Sequence, residues 1–434
     1  MREEFEVAVV GAGPAGISAA LALAEKGIKV IVFERGEFPG AKNVSGGVLY
    51  GHDLGESVPD FIRRECPVER NIVESRVWYL SVDGGFNVSF RDRAFEEGLS
   101  FNAFTVGRAR FDRWFAGIAE EKGALVVCGT TVTDLLRDDG GRVTGVRTDR
   151  SDGDVTARVV LIADGINSAL AAKTGFRPEP KPNDVALAVK EVIELPEEVI
   201  NERFNVEAGH GVTIEILGEI TKGMDGVAVI YTNKNSLSLC IGANLFDLMS
   251  NTVRPYEMLE EFKAHPMVAP LIKSGRPREY MAHWLAEGGY DTIPHLYGDG
   301  YLIAGESGML FNALHREGSN MAMASGRLAA LTIAGALARG DTGSEGLAGY
   351  AAALQASYVM KDLKKYRRFN RFLLNHKELF STLPRLGASA AREMLTVDGI
   401  SKKEKQTSIR RRIQGAIPLA RLARLLWAGA RSIG

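Results

Sequence analysis

Cysteine is scarce in this sequence, and its scarcity excludes several classes of protein. The 434 residues include three cysteines, far apart at Cys66, Cys128 and Cys240. This number excludes a disulfide framework and fits a reducing cytoplasm. It also excludes a four-cysteine iron–sulfur cluster held by this chain alone. The seven histidines include no pair with metal-ligand spacing, so we expect no metal site.

Long apolar runs are also missing. No stretch of about 18 consecutive apolar residues occurs, so we expect no membrane-spanning helix. The sequence begins MREEFEV, and these acidic residues run directly into an apolar segment, so we expect no signal peptide. The length and composition are typical of a cytoplasmic protein with about two or three domains.

The net charge of −1 conceals a strong asymmetry along the chain. Residues 361–434 contain 18 Lys and Arg against 5 Asp and Glu, a net charge of +13, whereas residues 1–360 carry −14. A basic C-terminal fifth on an acidic body predicts contact with an anionic surface or an acidic partner. The alternative is a solvated helical face. We expect no nucleic-acid partner.

The stretch VAVVGAGPAG at Val7–Gly16 has the spacing of a dinucleotide-binding turn. Its first four residues predict a short buried strand, and Ile17–Lys26 predicts a helix whose N-terminus faces the turn. The G-x-G-x-x-G pattern permits a tight turn, close approach of the backbone to a pyrophosphate, and close packing of helix on strand. The pattern consists of Gly11, Gly13 and Gly16, with Pro14 and Ala15 between the last two.

A carboxylate follows the motif at the expected distance. Lys29–Glu34, KVIVFE, predicts the second strand, and Glu34 lies about 20 residues beyond the glycines. A carboxylate at that spacing accepts a hydrogen bond from a ribose hydroxyl. The strand, helix, second strand and acid together predict that the chain binds a dinucleotide.

Two later motifs favour FAD as that dinucleotide. LIADGINSAL at Leu161–Leu170 predicts a strand that ends at the Asp164-Gly165 pair. The stretch Gly298–Gly326 predicts a strand that ends at the Gly305-Glu306 pair, then a loop and a helix. Each is an ordinary turn by itself, but the three loops together predict closure around one bound molecule. No second G-x-G-x-x-G occurs, so we expect no separate NAD(P)H domain.

We therefore predict an α/β fold in which a Rossmann-type FAD-binding domain is interleaved with an antiparallel-sheet substrate domain. Strand-forming segments dominate the middle of the chain, and the last part is helical. The predicted FAD-binding domain comprises residues 1–75, 100–180 and 296–345. The predicted substrate domain comprises residues 76–99 and 181–295, and residues 346–434 form a helical C-terminal region.

Five segments carry a closer resemblance, and the middle ones lie outside the generic FAD motifs. They are GAKNVSGG (40–47), VKEVIELP (189–196), YTNKNSLSL (231–239), AEGGYD (286–291) and DLKKYRRF (362–369). In these segments the sequence resembles the electron-transfer-flavoprotein:quinone oxidoreductase family, in its short FixC-like branch. That family lies within the superfamily of geranylgeranyl reductases and aromatic hydroxylases. The resemblance covers nearly the whole chain.

The resemblance implies positions for the cofactor. The glycine motif would hold the pyrophosphate, and Glu34 would bind the adenosine ribose with Arg35 beside it. The backbone around Val132 would meet the adenine, and Arg108 would reach toward the ribityl–phosphate part. The resemblance places Lys42, Asn43, Ser45 and Gly46 close to the isoalloxazine. It also implies that Gly318, Ser319 and Asn320 begin a helix whose N–H groups face flavin N1 and the C2 oxygen.

The resemblance also implies an activity and partners. One FAD would pass electrons between protein partners and a membrane quinone, which would occupy the substrate domain. A two-subunit electron-transfer flavoprotein would be the donor, and a separate small ferredoxin-like subunit would hold the iron–sulfur cluster. In such complexes the partner flavoprotein can bifurcate electrons from NADH. The implied location is cytoplasmic, at the inner face of the membrane. No Ser-His-Asp set or carboxylate pair in the sequence indicates proton-transfer machinery, so we assign no catalytic residue.

Two other functions remain open. The first is a geranylgeranyl reductase-like isoprenoid alkene reductase, which shares the FAD motifs, although the FixC-like middle segments argue against it. The second is a non-catalytic subunit that holds FAD. A departure from the family gives the second some support: Glu306 occupies a position where the family usually has Asp, whose carboxylate holds a ribityl hydroxyl. The extra methylene keeps the acceptor but moves it.

The C-terminal tail has an amphipathic pattern. Pro418 is predicted to separate two short helices. The second helix has one broad apolar face, formed by Leu419, Leu422, Leu425 and Leu426. Trp427 lies at the margin of this face, and Arg421 and Arg424 lie opposite it. This pattern predicts an interfacial helix on anionic lipid. The alternative is a helix packed onto its own protein or a partner chain.

Overall fold

The structure is a computed structural model that describes residues 5–42, 47–97 and 102–434. Its elements confirm the predicted α/β class. The strands are β1 (Phe5–Val10), β2 (Val30–Phe33), β3 (Gly47–Tyr50), β4 (Val68–Leu80), β5 (Gly85–Arg91), β6 (Ala103–Val106), β7 (Leu125–Val127), β8 (Val132–Arg137), β9 (Val143–Thr148), β10 (Asp154–Ile162), β11 (Val185–Glu194), β12 (His210–Gly218), β13 (Gly226–Thr232), β14 (Ser236–Asn244), β15 (Arg276–Ala286), β16 (Tyr297–Gly298) and β17 (Tyr301–Ile303). The helices are α1 (Pro14–Ala24), α2 (Gly51–Ser57), α3 (Arg93–Glu97), α4 (Arg108–Glu121), α5 (Ala169–Lys173), α6 (Glu197–Phe204), α7 (Leu245–Asn251), α8 (Pro255–Ala264), α9 (Ala269–Ile272), α10 (Ser319–Arg339), α11 (Ser344–Leu347), α12 (Gly349–Ala356), α13 (Tyr358–Lys365), α14 (Phe369–Asn375), α15 (Thr382–Leu395), α16 (Lys402–Ala416) and α17 (Leu419–Ile433).

The chain divides into two compact units, each built from three separate segments. The first unit comprises Met1–Glu69, Ser100–Asp184 and Ala286–Lys364. The second comprises Arg70–Leu99, Val185–Leu285 and Lys365–Gly434. The helical C-terminal part is therefore shared, because residues up to 364 belong to the first unit and residues from 365 belong to the second.

A mostly parallel sheet forms the centre of the first unit. Its strand order is β16-β17-β10-β1-β2-β7, and β16 runs antiparallel to its neighbour whereas the other pairs are parallel. β1 lies inside the sheet, where Val7 pairs with Val159 of β10 and with Val30 of β2. These strands are buried on both faces, which explains why they are continuous apolar runs rather than alternating ones.

Helices α1 and α10 approach each other closely within the first unit. A Cβ at Gly326 of α10 would lie 2.1 Å from the Ala15 carbonyl oxygen of α1, so only glycine permits this approach. By length and composition, α10 is one described helix that could cross a membrane, but 56% of its most apolar window is buried inside the protein. Counting unbroken apolar residues missed this helix because a few polar residues interrupt it. Such burial is typical of a core helix.

An antiparallel sheet dominates the second unit. The strand order is β15-β11-β14-β13-β12-β4, and β5 pairs with β4. β11, β14, β13 and β12 are antiparallel neighbours, whereas β12 and β4 are parallel. Alternate residues such as Val189, Ile214 and Ile241 join Phe262 of α8 in one apolar cluster. This alternation is the expected pattern for a sheet with one face on a core.

The tail forms two helices separated at Pro418, as predicted. One side of α17 packs onto its own unit: Leu425 is buried, and the backbone at Gly429 lies against the Phe372 ring of α14. Another side does not, because Leu426 and Trp427 remain 67% and 62% exposed. The packed alternative therefore holds for only part of the apolar face.

Candidate cofactor site

The turn between β1 and α1 has the geometry of a phosphate-binding loop. Gly11 has φ of +102°, and a Cβ there would lie 2.5 Å from the Ala163 carbonyl oxygen. A Cβ at Gly16 would lie 2.0 Å from the Gly11 carbonyl oxygen, so only glycine allows the helix to begin this close to the strand. At Gly13, by contrast, a Cβ would meet no protein atom within 4 Å. Gly13 thus borders open space at the N-terminus of α1, which begins at Pro14 and favours anions.

The Glu34 carboxylate lies at the mouth of this loop. Its Oε2 accepts a hydrogen bond from the Ala12 N–H at 3.1 Å, and its Oε1 accepts one from the Gly36 N–H at 2.7 Å. Two backbone bonds fix the carboxylate while each oxygen keeps acceptor capacity. The arrangement fits a ribose hydroxyl as an additional donor.

The segment that leads to β8 also approaches Glu34. The Thr130 N–H donates to the Glu34 carbonyl at 3.0 Å, two residues before Val132. This contact brings the backbone near Val132 to the side of the site where the resemblance expects adenine. Arg35 and Lys42 are exposed. The predicted residues Asn43, Ser45 and Gly46 lie outside the described residues.

The second and third motifs are joined by a side chain that the sequence analysis missed. The Ser307 hydroxyl accepts from the Gly165 N–H at 2.8 Å and donates to Asp164 Oδ1 at 2.9 Å. Buried Arg177 adds a hydrogen bond to the Ile166 carbonyl at 2.8 Å. Burial raises the pKa of Asp164, although its hydrogen bonds to serine hydroxyls oppose the shift. The structure therefore brings two motifs together that lie about 140 residues apart.

Glu306 lies in a short 3-10 turn, Gly305–Gly308, that follows β17. Its Oε1 is 3.7 Å from the position that a Cβ would occupy on Gly318, the residue before α10. Burial raises the pKa of Glu306 to about 7, and the positive charge of Arg108 opposes this shift. Arg108 is itself held by Asp112, with two guanidinium–carboxylate contacts of 2.9 Å. Gly40, in the predicted flavin-side loop, lies against the Arg108 carbonyl.

The N-terminus of α10 completes the candidate site. The helix begins at Ser319, and the buried Asn320 side chain approaches Tyr358, whose hydroxyl is 3.3 Å from Asn320 Nδ2. Sequence reasoning did not find Tyr358, because nothing local to it indicates a partner 38 residues away. Among the described residues, no group of three His, Cys, Asp or Glu side chains could hold a metal ion.

These residues fit a dinucleotide. The open space beside Gly13, the anchored Glu34 carboxylate and the N-terminus of α1 all belong to one unit. The loops at Gly165 and Gly305 lie at the ends of β10 and β17, which pair with each other in the same sheet. Ligands bind at the carboxyl ends of strands in such parallel sheets.

Comparisons with known proteins identify relatives along the whole chain. A family model for FAD-dependent oxidoreductases matches residues 6–176, and one for the ETF-QO/FixC family C-terminal domain matches residues 369–434. Protein FixC of Bradyrhizobium diazoefficiens is 46% identical over 94% of this chain and 93% of its own length. Protein FixC of Escherichia coli strain K12 is 40% identical over 91% of each chain. A solved geranylgeranyl bacteriochlorophyll reductase-like protein of Thermoplasma acidophilum has a TM-score of 0.73 at 20% identity, covering 98% of this chain and 100% of that one, and so shares the fold.

Proposed function

The chain belongs to the ETF-QO/FixC family of FAD-dependent oxidoreductases, and we propose that it passes electrons from an electron-transfer flavoprotein to a membrane quinone. Family membership along nearly the entire chain carries this proposal. The predicted FAD cofactor and the flavoprotein oxidoreductase activity agree with that membership. The donor, the quinone and the site residues are parts of the proposal.

The residues of the first unit would hold the cofactor in a defined way. Bound FAD supplies reversible uptake and release of one or two electrons. Backbone N–H groups at Gly13 and the start of α1 would bind its pyrophosphate, and Glu34 would accept from the ribose. The N-terminal dipole of α10 would favour negative charge on the adjacent edge of the flavin. Such stabilisation suits an electron carrier.

The titratable groups near these loops leave one candidate proton donor for alkene reduction. Asp164 is engaged with Ser307, and Arg108 is engaged with Asp112. An alkene reductase needs a proton donor beside its lipid pocket, and Glu306, with its pKa of about 7, is the group that could serve. We therefore keep alkene reduction as the second candidate function, with Glu306 as its test residue.

The proposed electron path requires other subunits. This chain has only three cysteines, and they lie far apart in the sequence, so the iron–sulfur cluster would belong to a separate ferredoxin-like subunit. The electron-transfer flavoprotein would be a two-subunit partner, and in an electron-bifurcating complex this chain would form the branch that leads to quinone.

The tail supports a peripheral location at the inner face of the membrane. Leu419, Leu426, Trp427 and Ile433 of α17 are exposed on one side. Arg424 and Arg431 are exposed on the adjoining side, and the Arg431 guanidinium lies over the Trp427 ring at 4.5 Å. An apolar strip beside a basic one, with Trp at the boundary, suits an anionic lipid surface.

One experiment separates the candidate functions. The purified FAD-loaded chain is reduced anaerobically, and a short-chain quinone is added to one sample and a geranylgeranyl lipid to another. Rapid reoxidation by the quinone alone supports the proposal. Reoxidation by the lipid with a saturated product contradicts it, and loss of that activity in Glu306→Gln would identify the proton donor. An FAD-loaded chain that neither compound reoxidises, even with its partner subunits present, supports a non-catalytic role.

A further inference from the structure

The first turns of α10 are tied to α2 and α13 by buried polar side chains. Asp53 of α2 is 2% exposed, and its Oδ2 accepts the Tyr358 hydroxyl hydrogen at 2.6 Å. The Tyr358 oxygen lies 3.3 Å from Nδ2 of Asn320, the second residue of α10. Arg327, two turns further along the same face of α10, lies 3.5 Å from Asp53 Oδ1. All four residues belong to the first unit.

The direction of these hydrogen bonds follows from the number of available hydrogens. A tyrosine has one O–H, and the short contact assigns that hydrogen to the Asp53 carboxylate. The Tyr358 oxygen is then an acceptor, so it must receive an N–H from the Asn320 amide. The second N–H of that amide faces the Glu317 carboxylate. Asp53, acting through Tyr358, and Glu317 together determine which way the Asn320 amide points.

The orientation of Asn320 has a cost that this network must offset. Its Oδ1 is buried and has no hydrogen-bond partner among the residues that the structure describes. A buried carbonyl oxygen without a donor costs about 1–3 kcal/mol. Turning the amide over would place this oxygen against the Tyr358 oxygen and the Glu317 carboxylate, which both act as acceptors here. The Asp53–Tyr358 pair thus supplies one of the two acceptors that hold the Asn320 amide at the first turn of α10.

We propose that Asp53 and Tyr358 are positioning residues for FAD, which fix the Asn320 amide and the first turn of α10 where the flavin binds. The inference rests on the proposed assignment of the α10 N-terminus to the flavin. Tyr358 and Asp53 have separate effects on FAD affinity and on the reduction potential of the flavin. Tyr358 sets the affinity for FAD by orienting α10, and the buried negative charge of Asp53 also lowers the reduction potential of the flavin. The charged groups that face Asp53 are His52 and Arg327, and Glu317 faces Tyr358.

Two variants and one control test this assignment. Tyr358→Phe removes the hydroxyl but keeps the ring and the Asp53 charge. Asp53→Asn keeps the size and removes the charge. Tyr301→Phe is the matched control, because Tyr301 is a partly buried tyrosine of the same unit that stacks on Phe176. We measure the dissociation constant of FAD by fluorescence titration of each apoprotein, and the midpoint potential of each holoprotein by spectroelectrochemistry.

The expected pattern distinguishes positioning from a general loss of structure. Tyr358→Phe and Asp53→Asn weaken FAD binding about tenfold, because a hydrogen bond to a buried charged group is lost. Only Asp53→Asn raises the midpoint potential clearly, and Tyr301→Phe changes neither quantity. Hydrogen exchange of the apoproteins provides a measurement that needs no FAD: the amides at the start of α10 exchange faster in Tyr358→Phe than in the wild type.

Unchanged FAD affinity and unchanged exchange in Tyr358→Phe would overturn the proposal. Equal shifts of the potential in Tyr358→Phe and Asp53→Asn would overturn the assigned role of the Asp53 charge. Neither measurement involves a quinone, so a failure of the chain to reduce quinones would leave this test intact.

Discussion

The carboxyl group of Glu306 is expected to make the affinity for FAD depend on pH. Burial raises its pKa from 4.5 to about 7, although the Arg108 guanidinium opposes the shift. The group is therefore neutral below pH 7 and negatively charged above it. FAD carries a negative pyrophosphate, so a charged Glu306 repels the cofactor. FAD binds better to the protonated form, and its presence raises the pKa of Glu306 further.

The size of the effect follows from proton linkage. While the complex keeps Glu306 protonated, each pH unit above 7 costs about 1.4 kcal/mol, which is about tenfold in the dissociation constant. We expect the wild-type constant to rise by up to about 50-fold between pH 7, where half of the free protein is already ionised at Glu306, and pH 9, and to flatten once the pH exceeds the pKa in the complex. Glu306→Gln has the same size but cannot ionise, so its constant should not change with pH. Glu306→Asp keeps an ionisable carboxyl group and is the matched control.

The assay is a titration of apoprotein with FAD at pH 6, 7, 8 and 9, followed by flavin fluorescence. Circular dichroism at each pH verifies that the apoprotein is folded. A wild-type constant that is the same at pH 6 and pH 9 would refute the reasoning. An equally steep rise in Glu306→Gln would refute it as well, because the titrating group would then be another residue.

Three further predictions concern the glycine loop, the serine that joins the motifs, and the tail. Gly13→Ala should weaken FAD binding but leave the thermal midpoint of the apoprotein unchanged, since its Cβ meets no protein atom within 4 Å. Gly16→Ala should lower the midpoint in the same thermal scan, because its Cβ would lie 2.0 Å from a carbonyl oxygen. Ser307→Ala should lower the free energy of unfolding of the first unit by about 1–3 kcal/mol in denaturant titrations, because it leaves the Gly165 N–H without its acceptor and removes one hydrogen-bond donor from Asp164. Replacing Leu426 and Trp427 by Asp should weaken binding to anionic vesicles at least about tenfold in a flotation assay without changing the thermal midpoint, because both side chains are exposed; unchanged flotation would contradict an interfacial role.

The sequence predicts the local parts of the fold well, for a physical reason. Val7–Val10 is a continuous apolar run because its strand is buried on both faces, and Gly16 is required by its contact with Gly11, a few residues away. The spacing between Gly11 and Glu34 is set by one helix and one strand. These features depend on nearby residues, so the pattern alone locates the glycine loop and its carboxylate.

The parts that the sequence does not predict depend on distant residues. Ser307 binds Asp164 from 143 positions away, and Tyr358 binds Asp53 from 305 positions away. A lone serine or tyrosine carries no local pattern that identifies such a partner. The raised pKa of Glu306 likewise depends on its burial in the folded chain and on the opposing charge of the distant Arg108. Sequence reasoning identified Glu306 as an unusual residue but could not derive its protonation state.

Packing within its own unit accounts for only part of the apolar stripe of the tail. The part of the α17 surface that packs on its own unit contains Leu425 and Gly429. A stripe that served only this packing would be no wider than that part. The stripe is wider than that, because Leu419 and Leu426 continue it onto a side where they contact water. Exposed apolar residues in a contiguous strip are typical of a surface that another phase or molecule covers. The strip borders exposed arginines in a segment with a net charge of +13, and this combination is the reason for proposing a covering that is both apolar and anionic, such as a lipid surface.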